Sequence, residues 1–150
     1  MALEGDYEPS PVQWVRDQVE AYERSGGREA NTLRDTGLPI IVITTRGRRS
    51  GRMRKTPLMR VEHQGEYALV ASMGGAPKNP VWYGNLKTDP GTVTLQDGPE
   101  PFEVSIRELA GDERAVWWER AVAAYPPYAE YQERTSRVIP VFVATPVNRE

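Results

Sequence analysis

The stretch Ile40-Ile41-Val42-Ile43-Thr44-Thr45-Arg46-Gly47 decides the fold of this chain. Its first six residues are all β-branched, and side chains of this kind favour strands because they pack well on a pleated surface. A run of this length that ends in Arg-Gly indicates a buried strand entering a turn. We therefore expect a strand over residues 40–45, followed by a hairpin loop.

Further strands are predicted after this loop. Residues 55–62 supply the return strand, and His63-Gln64-Gly65-Glu66 is typical of a tight hairpin turn, in which His63 is an exposed loop residue. A third strand follows over residues 67–72. Two shorter strands are predicted near residues 92–96 and 102–109, and the last strand over residues 138–145.

Two helices are predicted around the first strands. Ser10-Pro11-Val12-Gln13 has the pattern of a capping box with proline in the first turn, which predicts a helix near residues 11–25. Asn79 and Pro80 are typical of the start of a helix, so a short helix is expected to follow them and to end before Asp89-Pro90.

The C-terminal third combines helical segments with prolines. Residues 112–125 have helical composition, Pro126-Pro127 interrupts the pattern, and residues 128–135 can form another turn or two. The side chains of the longer segment that we expect to face inward are Ala115, Val116, Trp118 and Val122.

This order of elements predicts the fold class. Five or six strands joined mostly by short turns do not give the regular alternation of a doubly wound sheet. The pattern favours a mainly β (α+β) fold, a small and mostly antiparallel barrel with peripheral helices. We expect one domain over residues 1–150, with residues 1–38 as a helical N-terminal extension.

Composition excludes several classes of chemistry. The chain has no cysteine and one histidine, which excludes disulfides, iron–sulfur clusters, cysteine nucleophiles and multi-histidine metal sites, so no metal is expected. The acidic N-terminus lacks the apolar segment of a secretory signal, and the aliphatic run over residues 38–43 is far short of the roughly 18 residues that span a bilayer. A cytoplasmic location is therefore expected.

Basic charge is concentrated in the hairpin loop and the start of its return strand. Residues 46–55 carry six basic and no acidic side chains, which leaves 13 basic against 21 acidic residues elsewhere, a balance of −8. Such an acidic body disfavours nucleic acid, whereas a small polyanion can bind the basic segment alone. The alternative is a solvated edge hairpin whose charges block aggregation. The six basic residues are Arg46, Arg48, Arg49, Arg52, Arg54 and Lys55.

Tyr125, Tyr128 and Tyr131 recur every three residues. On a helix their rings would lie near one face and would suit a flat, partly apolar substrate. A tyrosine hydroxyl, with a pKa of about 10, is protonated at neutral pH and can donate a hydrogen bond. The alternative is that all three rings belong to the core.

Four blocks of the sequence follow each other in the order TTRGRRSG (44–51), RKTPL (54–58), ASMGGAPKNPVWYGNL (71–86) and YPPYAEYQ (125–132). On these blocks the chain resembles, from about residue 39 to residue 146, the deazaflavin-dependent nitroreductases of actinobacteria, a branch of the split β-barrel flavin and deazaflavin oxidoreductases. The resemblance implies a split β-barrel that binds coenzyme F-420, a deazaflavin with a phospholactyl and oligoglutamate tail. It also implies hydride transfer from the reduced coenzyme to an acceptor.

The resemblance assigns cofactor-binding roles block by block. The residues that would hold the phosphate and the start of the acidic tail are Arg48, Arg49, Ser50 and Arg54. The approach would be lined by Lys55, Thr56 and Pro57. The ring site would be lined by Val70, Ala71, Ser72, Met73, Val81, Trp82, Tyr83, Gly84 and Asn85. Gly74 and Gly75 would let the backbone pass close to the ring.

The catalytic assignments also come from the resemblance. The tyrosine segment would cover the ring, with Tyr128 touching both coenzyme and acceptor, and Tyr125, Tyr131 and Ser72 beside it. Many relatives carry lysine at the position of Met73 and an aromatic residue at that of Met59, so the acceptor pocket is reshaped. The expected acceptor is a quinone, an activated enone or a nitroaromatic, and the reshaped pocket means that reduction of nitroimidazoles is not assumed.

Other functions remain open at this point. A split barrel that binds flavin mononucleotide would need one phosphate and no acidic tail, so six clustered basic residues favour the longer anion. A coenzyme carrier without turnover and a nucleic-acid-binding small barrel are the further alternatives. The expected partner is a small-molecule hydride acceptor, with peripheral membrane contact if it is a quinone, and the chain is expected to be a monomer or homodimer.

Overall fold

A computed structural model describes residues 6–33, 36–48, 50–76, 78–88 and 93–147. In these ranges the helices are α1 (Gln13–Ser25), α2 (Val81–Thr88), α3 (Gly111–Ala124) and α4 (Pro127–Glu133), with a 3-10 turn at Met73–Gly75. The strands are β1 (Ile40–Arg46), β2 (Met53–Met59), β3 (Glu62–His63), β4 (Glu66–Val70), β5 (Val93–Gln96), β6 (Pro101–Glu108) and β7 (Val141–Pro146).

All seven of these strands form one antiparallel sheet in the order β2-β1-β5-β6-β7-β4-β3. The sheet curls into the half-barrel of a split-barrel fold, so the predicted fold class is confirmed. β1 lies between β2 and β5, and Ile43 is paired with Thr56 on one side and with Leu95 on the other.

The β-branched run of β1 is buried on both faces of the sheet. Ile40 and Val42 belong to one apolar cluster, which includes the inward side chains of α1, α3 and α4. Ile41 and Ile43 belong to a second cluster, which includes Trp82 of α2. Burial on both sides explains why the sequence of this strand does not alternate between apolar and polar residues.

The second hairpin differs from its prediction. Gln64 and Gly65 have φ values of +52° and +86°, so these two residues alone make the turn, as in the tightest hairpins. Glu62 and His63 therefore pair with Tyr67 and Glu66 and form the short strand β3, which was not predicted. His63 is not an exposed loop residue, because its ring is half-buried with its edge against Trp117.

The capping box predicted at Ser10 is absent. Its hydroxyl oxygen accepts a hydrogen bond from the amide of Val12 at 3.1 Å, and α1 begins at Gln13 with no side-chain cap. At the other end of the chain, β7 begins at Val141 and not at residue 138, because Pro140 has no N–H to donate to the sheet.

The inward face predicted for α3 is partly wrong. Trp117 and Ala121 are its buried residues, while Ala115 is exposed and Val116 is 45% exposed. Trp118 and Val122 are partly buried against the same cluster, as expected. The predicted strand start at Thr92 lies outside the described residues.

None of the helices in the described ranges is long and apolar enough to cross a membrane.

Candidate functional site

The loop between β1 and β2 is fixed to the neighbouring helix α2 by one buried amide. Asn85, which is 2% exposed, accepts a hydrogen bond from the backbone amide of Arg48 at 3.1 Å and donates one to the Thr45 hydroxyl oxygen at 3.2 Å. Inside the loop, Gly47 donates to the carbonyl oxygen of Arg52 at 2.8 Å. The basic residues of the loop are therefore held on a fixed backbone.

Gly84 provides the surface on which Arg48 lies. A Cβ atom at Gly84 would come within 2.9 Å of the guanidinium carbon of Arg48, closer than real Cβ atoms approach other groups. Because glycine has no Cβ, the guanidinium can lie directly against α2. Its donors border the cavity beside the loop.

A groove formed by two adjoining cavities runs from the loop between β1 and β2 to the tyrosines around α4. The cavity between the loop and α2, of about 680 Å³, is the basic part of this groove. Its charged lining residues are Arg48, Arg54, Lys87 and one carboxylate, Glu8. The predicted cofactor-binding residues that line it are Arg48, Ser50, Arg54, Val81, Tyr83, Gly84 and Asn85. Arg49 lies outside the described residues.

A second cavity of about 620 Å³, the apolar part of the groove, lies between the N-terminal end of α1, the strand β2, and the tyrosines around α4. Predicted residues make up much of its lining: Arg54, Lys55, Thr56, Pro57, Val70, Ser72, Met73, Val81, Trp82, Asn85, Tyr125, Tyr128 and Tyr131. Ala71 borders neither part, since its side chain is fully buried in the core.

The two cavities adjoin each other. Both are lined by Arg54, Pro80, Val81 and Asn85, which stand at the junction. The structure thus brings nearly all of the predicted residues together along a single groove that is basic at one end and apolar at the other.

The three tyrosines pack against each other at the apolar end. The Tyr125 and Tyr128 ring centroids are 4.9 Å apart with their planes nearly perpendicular, and the Tyr125 and Tyr131 hydroxyl oxygens are 2.9 Å apart in a hydrogen bond. Tyr128 is 4% exposed and packs against Trp118. No atom of the described residues forms a hydrogen bond with its hydroxyl, which leaves that donor available to a ligand.

Burial keeps these hydroxyls protonated. Burial, together with the hydrogen bond to Tyr131, raises the pKa of Tyr125 to about 12. Burial also raises the pKa of Tyr128 well above the usual value of a tyrosine. Both side chains are therefore neutral hydrogen-bond donors at physiological pH.

Lys55 is already occupied by an acidic partner. Its ammonium nitrogen lies 2.6 Å from a carboxylate oxygen of Glu23 on α1 and 4.9 Å from the centre of the Tyr7 ring. Lys55 lines the apolar part but not the basic part, so it joins α1 to β2 at the edge of the groove.

The loop after β4 depends on a residue that the sequence reasoning missed. Arg137 donates to the carbonyl oxygens of Ala71, Ser72 and Ala76, and also to the side-chain oxygen of Asn79, at distances from 2.7 to 3.1 Å. Burial lowers the pKa of its guanidinium. No local motif identifies Arg137, because its partners are about 60 residues earlier in the chain.

This loop also contains unusual backbone geometry beside the groove. Met73 has a φ of +46°, which is rare for a residue other than glycine, and its side chain is 56% exposed at the apolar part. Gly75 has a φ of +81°, and a Cβ there would lie 2.6 Å from the carbonyl oxygen of Tyr131. The close approach that Gly75 allows in the structure is thus to the backbone of α4.

The sequence reasoning also left the N-terminal segment out of the site. Glu8 lines the basic part, and Val12 and Trp14 line the apolar part. The described residues contain no cluster of three or more histidine, aspartate or glutamate side chains suited to a metal ion.

Comparisons with known proteins identify the family of this chain. The family model of F420H(2)-dependent quinone reductases matches residues 14–146. An F420H(2)-dependent quinone reductase of Mycobacterium tuberculosis is 33% identical over 137 residues, which are 89% of this chain and 91% of that protein.

Two solved structures are similar over most of their length. A structure of an F420-H2-dependent reductase is 55% identical, with a TM-score of 0.66 over 71% of this chain and 93% of that chain. A structure described as a domain-swapped dimer is 50% identical, with a TM-score of 0.69 over 90% of this chain and 99% of that chain.

The resemblance stated from the four sequence blocks is therefore confirmed, and with it the assignment to the oxidoreductases. The family match covers the strand β1, the loop between β1 and β2, the tyrosines and the groove-lining residues from Trp14 onward. This chain belongs to the F420H(2)-dependent quinone reductase family.

Proposed function

We propose that this protein binds reduced coenzyme F-420 along the groove and uses it to reduce a quinone. The observation that carries the proposal is the division of the groove into a basic part and an apolar part that meet at Arg54 and Asn85. A deazaflavin with a phosphate and an oligoglutamate tail has the same division, since its ring is flat and apolar and its tail is anionic.

The basic part has the donors that such a tail requires. Arg48 lies against Gly84 with its guanidinium at the cavity wall, and Arg54 and Ser50 border the same space. Guanidinium groups bind phosphate and carboxylate oxygens in pairs, and such charge-assisted bonds are stronger than neutral ones. Arg48, Ser50 and Arg54 would hold the phosphate, together with the predicted contribution of Arg49.

The apolar part suits the ring. Val70 and Trp82 are nearly buried in its wall, and Thr56 and Pro57 of β2 line the approach. When bound there, the reduced coenzyme supplies a hydride to the acceptor. The residues around it exclude water and hold the acceptor against the ring.

Tyr128 would act on the acceptor. Its hydroxyl has no hydrogen-bond partner among the described residues and remains protonated, because burial raises its pKa. It can therefore donate a hydrogen bond to a quinone oxygen as that oxygen gains negative charge. Because burial raises its pKa, Tyr128 donates a hydrogen bond and keeps its own proton, and the proton that completes the hydroquinone is taken from solvent once the reduced product leaves the groove. Tyr125, Tyr131 and Ser72 would orient the acceptor beside it.

A membrane surface is the proposed source of the quinone. Four apolar side chains at the mouth of the apolar part are 40% to 69% exposed: Val12, Trp14, Met73 and Val81. Exposed apolar side chains gathered around one opening are typical of a contact surface. Co-sedimentation with phosphatidylcholine vesicles tests this contact, and a Val81→Ser variant that sediments as well as the parent protein would contradict it.

A titration tests the proposed function. The protein is titrated with coenzyme F-420 and in parallel with flavin mononucleotide, by following the fluorescence of the ring, and oxidation of the reduced coenzyme by a soluble quinone is then measured. We expect micromolar or tighter binding of coenzyme F-420, which Arg48→Ala and Arg54→Ala weaken. Arg28→Ala is the matched control, because Arg28 is exposed and lines neither cavity.

Two results would overturn the proposal. One is that flavin mononucleotide binds more tightly than coenzyme F-420. The other is that neither compound binds at micromolar concentration.

A further inference from the structure

Residues 6–8 lie against the first residue of β2, beside the basic part of the groove. Tyr7 forms a parallel bridge with Met53. The backbone amide of Glu8 donates to the carbonyl oxygen of Met53 at 2.9 Å, and the amide of Met53 donates to the carbonyl oxygen of Asp6 at 2.7 Å. Backbone hydrogen bonds thus place Glu8 at the basic loop, whatever its side chain binds.

The Glu8 carboxylate contacts the same groups that would bind an anionic ligand. One of its oxygens accepts a hydrogen bond from the Ser50 hydroxyl at 3.0 Å, and the other lies 3.6 Å from a guanidinium nitrogen of Arg54. Among the described residues that line the basic part, Glu8 is the only acidic one. A carboxylate and a phosphate use the same donors, so Glu8 and a ligand phosphate compete for Ser50 and Arg54.

We propose that Glu8 is an internal competitor for the anion site and that it determines how much negative charge a ligand must carry in order to bind. The inference deepens the proposed function and rests on it for the identity of the ligand. A ligand phosphate must displace the Glu8 carboxylate, whose charge then remains near the site because the backbone of Glu8 is held at Met53.

This competition affects small and large anions differently. A ligand with a single phosphate recovers little more than the two contacts that Glu8 gives up. A ligand with a phosphate and several carboxylates also reaches Arg48 and Lys87, the other basic residues of the cavity, of which Lys87 is ion-paired with Glu108 at 2.8 Å. Because every ligand must displace the same carboxylate, only an extended polyanion, which makes these further contacts, keeps appreciable affinity, whereas flavin mononucleotide and inorganic phosphate do not.

The alternative is that Glu8 only anchors the N-terminal segment, and Glu8→Gln separates the two roles. Glutamine keeps an oxygen that can accept from Ser50, and it keeps both backbone hydrogen bonds with Met53, but it carries no charge. If the role is competition, removing the charge strengthens anion binding. If the role is anchoring, anion affinity is unchanged or falls.

The test compares the parent protein, Glu8→Gln and the control Glu119→Gln, which changes an exposed glutamate of α3 that lines neither cavity. Binding of inorganic pyrophosphate, flavin mononucleotide and oxidised coenzyme F-420 is measured by titration calorimetry at low salt. For Glu8→Gln we expect about three- to tenfold tighter binding of pyrophosphate and flavin mononucleotide, the range that a partly exposed ion pair allows. For coenzyme F-420 we expect a gain of the same order, because its phosphate displaces the same carboxylate.

The outcomes are separable from those of the proposed function. If Glu8→Gln binds pyrophosphate no better than the parent protein or the Glu119→Gln control, the competition is overturned. If pyrophosphate affinity rises but no variant binds coenzyme F-420, the competition stands and the proposed function fails. A gain that disappears at high salt supports the electrostatic origin, because screening weakens interactions between exposed charges.

Discussion

Gly84 and Arg48 are in direct contact, so that a methyl group at Gly84 would lie 2.9 Å from the guanidinium carbon of Arg48. The pair joins the helix α2 to the basic loop, and Asn85 reinforces this junction through the backbone of Arg48. The position of the Arg48 guanidinium therefore depends on the absence of a side chain at residue 84. A side chain at residue 84 is consequently expected to lower the affinity for an anionic coenzyme without lowering the stability of α2.

Gly84→Ala is expected to weaken coenzyme binding while the fold becomes no less stable. The guanidinium is the flexible end of its side chain, so it moves away and α2 keeps its position. Alanine is favoured over glycine inside a helix by up to about 1 kcal/mol, so thermal stability should be unchanged or higher. We expect about a threefold to tenfold loss of affinity for coenzyme F-420, measured by fluorescence titration.

Thr88→Ala is the matched control for this substitution, because it alters an exposed position of the same helix that lines neither cavity. If Gly84→Ala binds the coenzyme as well as this control does, the position of the Arg48 guanidinium is not important for binding.

Arg137→Lys is expected to loosen the loop after β4. A lysine ammonium cannot reach the three carbonyl oxygens and the Asn79 side chain that the planar guanidinium contacts together. We expect a loss of about 1–3 kcal/mol in the free energy of unfolding, measured by urea denaturation. Because Ser72 and Met73 line the apolar part, the KM for the quinone should rise more than kcat falls.

Arg134→Lys is the control, since the Arg134 side chain is exposed on the neighbouring turn and makes none of these hydrogen bonds. Equal stability of the two variants would show that the hydrogen bonds of Arg137 contribute little.

Local patterns in the sequence were sufficient to predict the strands other than β3 and the loop between β1 and β2. The β-branched run of β1 and the glycine that follows it are contiguous signals, and the structure has a strand and a hairpin loop there. The turn at Gln64 was placed correctly, but its length could not be predicted, since that depends on which residues adopt positive φ. At Ser10 the sequence has the capping-box pattern, but the Ser10 hydroxyl oxygen accepts a hydrogen bond from the nearer amide of Val12, so the expected cap does not form.

Site residues that act across long distances in the chain were not predictable. Glu8 reaches Ser50, and Arg137 reaches Ala71, through pairings of strands and loops that no local spacing encodes. The partner of Lys55 was missed for the same reason, because Glu23 is on a helix whose docking against β2 is a tertiary property. The functional roles of the tyrosines and arginines came from the resemblance to known reductases. From the sequence pattern alone, the tyrosines could equally belong to the core and the arginines to a solvated hairpin.

Tyr128→Phe is expected to lower turnover without lowering stability or coenzyme affinity. The hydroxyl has no hydrogen-bond partner among the described residues, so its removal leaves no protein group unpaired. Removing one hydrogen-bond donor to developing negative charge lowers kcat by about 10²–10³-fold in well-studied oxyanion sites. For Tyr128→Phe we expect kcat to fall by about 10- to 100-fold. Stopped-flow oxidation of the reduced coenzyme by a quinone measures the effect.

Tyr125→Phe is the comparison, because it breaks the hydrogen bond with Tyr131 and should lower stability as well. A Tyr128→Phe enzyme that turns over at the parental rate would remove the proposed donor role of the hydroxyl.

Alkaline pH is expected to destabilise the fold, and the tyrosines determine the direction of the effect. Burial raises the pKa of Tyr125 to about 12, whereas an unfolded tyrosine has a pKa of about 10. Below pH 10 both states are protonated, so the stabilisation is fully present. Above pH 10 the unfolded chain loses the proton while the folded chain keeps it, so the free energy of unfolding falls as pH rises towards 12.

Thermal unfolding between pH 8 and pH 11.5 tests this. The parent protein should lose thermal stability progressively above about pH 10, and Tyr125→Phe should lose less over the same interval, since it lacks one of the groups that titrate differently in the two states. Turnover should persist above pH 10, because a raised pKa keeps the Tyr128 hydroxyl protonated. If Tyr125→Phe and the parent protein lose stability in parallel, Tyr125 does not retain its proton in the folded protein, and the buried hydroxyl pair is more hydrated than the structure shows.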